Sequence, residues 1–143
     1  MLDSVLRVYG ESFDVEAFLA QHPIDAHLEA YNIGDTDILG GACEHSGFDA
    51  LISETADAQS HQLELYAFLE KHKNSLLALK AEQAQCVLDI GLGLALIENN
   101  GTSANSNIVL SSKLISLCNE LGLSIEFSAY PQMDETLEEP GNH

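Results

Sequence analysis

The sequence feature that most constrains the fold is residues 85–98, a stretch with few charges in which leucine or isoleucine recurs at every second position. A period of two is typical of a β-strand, because successive side chains point to opposite faces of a sheet. The alternate positions are smaller but mostly uncharged, so we expect both faces of this strand to be covered. Gly91 and Gly93 would weaken a strand unless something approaches closely, and we expect a helix to pack over them.

The rest of the chain alternates between strand and helix periods. Strands are predicted over residues 2–9, 24–33, 48–53 and 123–130, and helices over residues 14–21, 58–82 and 111–121. Asp14 and Ser111 are predicted N-caps, and Gly122 is a predicted left-handed C-cap. The order predicts an α+β fold with a ferredoxin-like β-α-β-β-α-β core, extended by a C-terminal α-β unit. Its sheet is expected to be mostly antiparallel, with the helices on one face.

One domain over residues 1–131 is expected from the length of 143 residues, followed by an acidic, disordered tail over residues 132–143. No apolar run reaches the 18 or so residues of a membrane span, and the N-terminus lacks the pattern of a secretory signal. The three cysteines are an odd number, which suits free thiols in a reducing compartment. We therefore expect a cytoplasmic protein without a membrane partner.

Charge is the strongest global feature, because 23 acidic residues against 5 basic ones give a formal net charge of −18. Phosphate binding needs clustered Lys and Arg, so nucleic acid is disfavoured as a direct partner. An acidic excess of this size steers cationic partners towards the protein. A basic protein is the predicted partner class.

A candidate docking surface follows from the polar positions of the second and third predicted strands. Alternation places one set of polar side chains on a single face, and the glycine-rich, acidic loop at residues 34–47 flanks it. Carboxylates with an aromatic among them can attract and retain a basic protein. A plain solvated sheet face is the competing interpretation. The predicted partner-binding residues are Asp25, His27, Glu29, Tyr31, Asp35, Asp37, Glu44 and Asp49.

Metal and catalytic chemistry have weaker support in the sequence. Cys43 and His45 could ligate an ion, but a structural zinc site needs four ligands and a solvent-facing loop is favoured. The Asp35-x-Asp37 pair lacks the terminal glutamate of a calcium loop. Gly91-x-Gly93 lies within a strand rather than after one, so it is not a dinucleotide fingerprint. We expect no cofactor, no metal and no catalytic residue.

Two segments carry a family resemblance. Residues 6–16, from Leu6-Arg7-Val8-Tyr9-Gly10 into the first helix, and residues 109–125, a cap-helix-strand unit before Tyr130, resemble small bacterial proteins of the domain of unknown function 4279 family. The resemblance spans most of residues 1–131. It implies a structural likeness and supplies no catalytic residues. It also fits immunity partners of bacterial toxins, an associational step.

The leading expectation is a non-enzymatic acidic binding protein, such as an immunity protein that neutralises a basic toxin, for example a nuclease. The alternative is a small-molecule-binding or enzymatic α+β domain with a pocket beside the 34–47 loop. A third alternative is an oligomeric role through the sheet, such as a homodimer. A deep pocket with convergent polar groups would favour the second, and a flat acidic surface the first.

Overall fold

The computed structural model describes residues 2–93 and 108–130 of the chain. The strands within these ranges are β1 (Leu2–Gly10), β2 (His27–Tyr31), β3 (Ser46–Thr55), β4 (Gln85–Gly93) and β5 (Ser124–Tyr130). The helices are α1 (Val15–Gln21), α2 (Ala58–Lys71), α3 (Lys73–Ala78) and α4 (Ser112–Leu121), with a 3₁₀ turn at Leu79–Glu82 after α3. The polar loop expected around residues 99–107 and the expected acidic tail lie outside the described residues.

Within the described ranges the strands form one five-stranded sheet in the order β2-β3-β1-β4-β5. β3 is antiparallel to both β1 and β2, and β4 is antiparallel to β1, whereas β5 pairs with β4 in parallel. The predicted α+β class and mostly antiparallel sheet are confirmed. The five-strand order is not the usual ferredoxin-like one, because the C-terminal α-β unit returns as a parallel edge strand beside β4. The central strand is β1 rather than β4.

The four α-helices within the described ranges pack against one face of the sheet, and we call these helices the helix layer. The contact set includes Leu6 and Val8 of β1 and Leu88 and Ile90 of β4, with buried residues from each helix around them. Both predicted N-caps are confirmed. The Asp14 side chain accepts the Ala17 N–H at 3.1 Å, and the Ser111 side chain accepts the Leu114 N–H at 3.1 Å. Gly122 ends α4 with φ 74°, a left-handed conformation that favours glycine.

The described helices do not cover the face of β4 that carries its glycines. Leu88, Ile90 and Leu92 face the helix layer, so Gly91 and Gly93 alternate to the opposite face. None of the helices within residues 2–93 and 108–130 is therefore the one expected to pack over these glycines. The described strand ends at Gly93, and residues 94–98 of the predicted strand lie outside the described residues.

One contact explains why the second strand and the main helix are both shorter than predicted. Nε2 of His72 accepts the main-chain N–H of Asp25 at 3.3 Å, so this N–H is not part of the sheet ladder. The Ile24 side chain enters the core, and β2 begins only at His27. His72 itself has φ −103° and separates α2 from α3, so the helix predicted over residues 58–82 is divided there. The buried side of this helical segment comprises Leu65, Leu69, His72, Leu76 and Leu79.

Candidate functional site

The sheet face opposite the helix layer, called the open face below, is the candidate site. Strand alternation and register define its members. Those used below are Arg7 and Tyr9 on β1, His27, Glu29 and Tyr31 on β2, Asp49 on β3, Asp89 on β4, and Glu126 and Ser128 on β5.

A row of charged side chains crosses the open face from edge to edge. Glu29 is opposite Asp49, Asp49 is opposite Arg7, and Asp89 is the register partner of Glu126. Four carboxylates thus lie in line with one guanidinium, which is hydrogen-bonded to two of them, and we call these five residues the carboxylate row. Like charges on facing strand positions disfavour folding, so the row is held together by Arg7 and by the rest of the sheet.

Arg7 is the link at the centre of this row. Its Nη1 donates to Asp49 Oδ2 at 3.1 Å, and its Nε and Nη2 both donate to Asp89 Oδ2, at 3.2 and 3.1 Å. Ser128 donates to the other Asp89 oxygen at 2.8 Å, which extends the network to β5. Burial opposes the charge of Arg7, but the hydrogen bond to Asp89 and the two carboxylates raise the pKa of Arg7. The guanidinium is therefore cationic throughout the working range of pH.

The Asp49 carboxylate accepts one of these hydrogen bonds, whereas the Asp89 carboxylate accepts three. Partial burial raises the pKa of Asp49 above its usual value, the Arg7 charge opposes this shift, and the nearby Glu29 adds to it. One guanidinium shared with Asp89 does not offset both burial and a facing carboxylate. A further cation near Asp49 and Glu29 would stabilise the ionised forms of both.

The lysines are segregated from this face. Across the described ranges, which contain every Lys and Arg of the chain, Arg7 is the one such residue on the open face. The lysines lie in the helix layer, where Lys71 pairs with Asp25 at 2.6 Å and Lys73 with Glu120 at 2.9 Å. The remaining two are Lys80, bonded to the Glu120 carbonyl, and Lys113, over the Tyr66 ring. The lysines therefore pair with carboxylates on the helix side of the sheet and not with those of the open face.

The loop at residues 34–47 is ordered by its own hydrogen bonds, although the sequence showed no period there. Thr36 and Ala42 form an antiparallel bridge, and Asp37 Oδ1 accepts the N–H groups of Leu39 and Gly41, both at 2.9 Å. This pattern is an Asx-type turn, in which a short carboxylate replaces main-chain partners. The turn holds Ile38 and Leu39 outwards, at 101% and 91% exposure.

A recess lies between this loop and the open face. It has a volume of about 600 Å³ and is open to solvent on one side. A second hollow of about 230 Å³ adjoins it and shares Arg7, Glu29 and Asp49 as lining residues. We call the larger one the loop recess; its lining comprises Arg7, Tyr9, Glu29, Ala30, Tyr31, Thr36, Asp37, Ile38, Cys43, His45 and Asp49.

Gly47 provides room for the aromatic wall of the loop recess. It is the register partner of both Tyr9 and Tyr31, and a Cβ on Gly47 would lie 2.8 Å from the Tyr31 phenol oxygen. The same Cβ would lie 2.1 Å from the Val8 carbonyl oxygen, so only glycine fits. The Tyr9 ring in turn meets the His45 ring edge to face, with centroids 5.4 Å apart. Burial, and next the Asp49 charge, raise the pKa of Tyr31, which keeps its phenol protonated.

The structure brings together some of the predicted binding residues. His27, Glu29, Tyr31 and Asp49 share the open face, and Asp37 lines the loop recess. Their role in partner binding stays a prediction.

The other three predicted residues have different positions. Asp25 precedes β2 and its carboxylate bonds Lys71 of the helix layer, so it is not brought to the open face. Asp35 accepts the Asn32 N–H at 2.7 Å and organises the base of the loop. Glu44 is exposed on the loop and does not line the recess.

Sequence reasoning missed Arg7, Asp89 and Glu126 as members of the site. Each occupies an alternate position of a correctly predicted strand, so the period-two pattern gave its face. The pattern did not give the strand order, which places β1 and β4 beside β3 and so connects these residues to Asp49. The missing signal was therefore long-range pairing.

The thiols and possible metal ligands offer little reactive chemistry. Burial, then Asp37 and Asp35, raise the pKa of Cys43, and burial raises the pKa of Cys86 to about 11. A protonated thiol is a weak nucleophile. Among residues 2–93 and 108–130, no group of three or more His, Cys, Asp or Glu side chains is placed to hold a metal ion.

Comparisons with known proteins add no relative: no family model, no curated protein and no solved structure matches the chain. The resemblance to the domain of unknown function 4279 family therefore stays a prediction. In the part of the chain that the structure describes, no helix combines the length and apolarity needed to cross a bilayer.

Proposed function

We propose that this chain is a non-enzymatic binding protein that docks a basic protein partner on its open face. The observation that carries the proposal is the carboxylate row, in which four carboxylates lie across the sheet and the one guanidinium among them bonds Asp49 and Asp89. Every lysine lies in the helix layer, and among the described residues the second cationic group recorded beside the row is the exposed His27, which pairs with Glu29 at 3.7 Å when its imidazole is protonated. Charge complementarity of this kind raises association rates and orients the partner.

Two further features suit protein docking. The loop at residues 34–47 holds Ile38 and Leu39 exposed beside the acidic recess, so apolar contact is available next to charge. Tyr9 and Tyr31 supply aromatic area, which is enriched at the energetic centres of protein interfaces. An immunity protein that covers a basic toxin in the cytoplasm is the specific form of this proposal, and the predicted family resemblance fits it by association.

The proposal is tested by a differential pull-down at low salt from the native host. The wild-type chain is compared with Glu29→Lys/Glu126→Lys and with a control of matched net charge, Glu16→Lys/Glu70→Lys, whose positions lie on α1 and α2. We expect basic proteins that the wild type and the control retain and the open-face variant loses. Equal retention by all three chains would exclude the open face as the docking surface.

A second candidate function has one specific observation in its favour, the loop recess. Its polar groups converge on a volume of about 600 Å³, which is within the range of small-molecule sites. Saturating the chain with a library of small cationic metabolites and measuring thermal stability tests this candidate. A ligand-induced rise in Tm that Glu29→Gln abolishes would favour it over protein docking, and sedimentation of the free chain would separately detect a homodimer.

A further inference from the structure

We propose that the loop recess binds the side chain of an arginine from the partner, with its guanidinium between Glu29 and Asp49 and against the Tyr31 ring. This inference rests on the proposed function and specifies the chemistry of its contact. The occupant is an alkylguanidinium group carried by a basic protein.

The first argument is that Asp49 accepts a hydrogen bond from Arg7, whereas the facing Glu29 is not bonded to Arg7. Nη1 of Arg7 donates to Asp49 Oδ2 at 3.1 Å from the β1 side, and Glu29 is opposite Asp49 on the β2 side. Nε2 of His27 is 3.7 Å from Glu29 Oε1, beyond ordinary hydrogen-bond length. Acceptor oxygens on two strands thus face a common space, which a planar, multi-donor cation can bridge better than a point charge.

The second argument is independent of charge and comes from the shape of the site. The loop recess is an open depression with Tyr9 and Tyr31 in its wall, and Gly47 leaves room for the Tyr31 phenol. Guanidinium groups stack on aromatic faces while their edges donate to carboxylates, whereas an ammonium group must shed tightly bound water to do the same. The Tyr31 side chain is partly buried and backed by the sheet, so little further ordering is required.

A third argument is the presence of Arg7 in the same row. This guanidinium already donates to two carboxylates on neighbouring strands, so the strand spacing of the open face accommodates the group. The charged lining of the loop recess is Arg7 together with Glu29, Asp37 and Asp49, which gives the lining a net charge of −2. One incoming arginine would still leave this lining anionic.

The test compares blocked hexa-arginine and hexa-lysine peptides binding to the full chain, measured by titration calorimetry and by amide shifts. We expect hexa-arginine to bind roughly fivefold more tightly than hexa-lysine. Glu29→Gln should weaken hexa-arginine by about tenfold, whereas Glu16→Gln, with the same loss of charge, should have less than a twofold effect. Tyr31→Leu should remove the preference for arginine, and this ratio does not depend on a small change in stability.

The outcomes separate this inference from the proposed function. Equal binding of the two peptides, with Glu29→Gln weakening both, would overturn the arginine site and leave cationic docking on the open face. Equal effects of Glu29→Gln and Glu16→Gln on both peptides would overturn the arginine site and the open-face proposal together.

Discussion

Replacing Arg7 by methionine should destabilise the fold by about 2 kcal/mol. Removing one partner of a buried ion pair costs about 3–5 kcal/mol, because a desolvated charge is left without compensation. The side chains of Arg7, Asp49 and Asp89 are 42%, 31% and 10% exposed, so solvent screening reduces this figure. Ser128 continues to donate to Asp89, which limits the loss further.

Urea unfolding followed by circular dichroism measures this change, and a loss of about 2 kcal/mol corresponds to a fall in Tm of about 4–8 °C for a chain of this size. Lys71→Met is the control, because it also removes one cation from an ion pair, but from the exposed pair with Asp25, and should leave the midpoint unchanged. The triple variant Arg7→Met/Asp49→Asn/Asp89→Asn should recover most of the stability. A single-variant loss below about 0.5 kcal/mol would refute the central role given to Arg7.

The remaining predictions concern pH, the loop and Gly47. Burial lowers the folded-state pKa of His61 and of His72. The stability that these residues contribute is therefore complete above the ordinary pKa of 6.5 and is lost as pH falls through the lowered folded-state values. Urea midpoints should fall over that pH window, and His61→Leu should make the fall smaller. Asp37→Ala removes two acceptor contacts, so amide exchange at Leu39 and Gly41 should accelerate by about tenfold, whereas Ile38→Ser should not change it. Gly47→Ala should lower the free energy of unfolding by about 2 kcal/mol or more, because the added Cβ would meet the Val8 carbonyl oxygen. Gly40→Ala, at a position with open space and φ 87°, should lower it by about 1 kcal/mol. Equal losses in urea unfolding would contradict the close packing at Gly47.

Local structure was predictable from the sequence because its causes are local. Asp14, Ser111 and Gly122 cap their helices as expected, since each capping interaction involves residues within a few positions. The faces of His27, Glu29 and Tyr31 followed from alternation in the same way. The helical period over residues 58–82 equally predicted helix where α2 and α3 are found.

Features that depend on contacts between distant residues were not predictable. The position of β5 as a parallel neighbour of β4 gives the sheet its order, and no local pattern encodes it. The early end of the ladder at Asp25 depends on His72, which is 47 positions away. Arg7 became part of the site because Asp49 and Asp89 flank it, and these contacts span 42 and 82 positions. The turn at Asp37 is a different case, because the residues that form it are at most four positions apart. A turn of this Asx type can be predicted from the local sequence.

The most direct test of the docking proposal is the association rate of a basic protein identified by the differential pull-down. Stopped-flow mixing at low salt should show Glu29→Lys/Glu126→Lys associating about tenfold or more slowly than wild type, with the difference shrinking as salt is raised. Glu16→Lys/Glu70→Lys, with the same net charge, should remain within about twofold of wild type. Equal slowing by both variants would mean that net charge alone governs association, and would contradict a docking site on the open face.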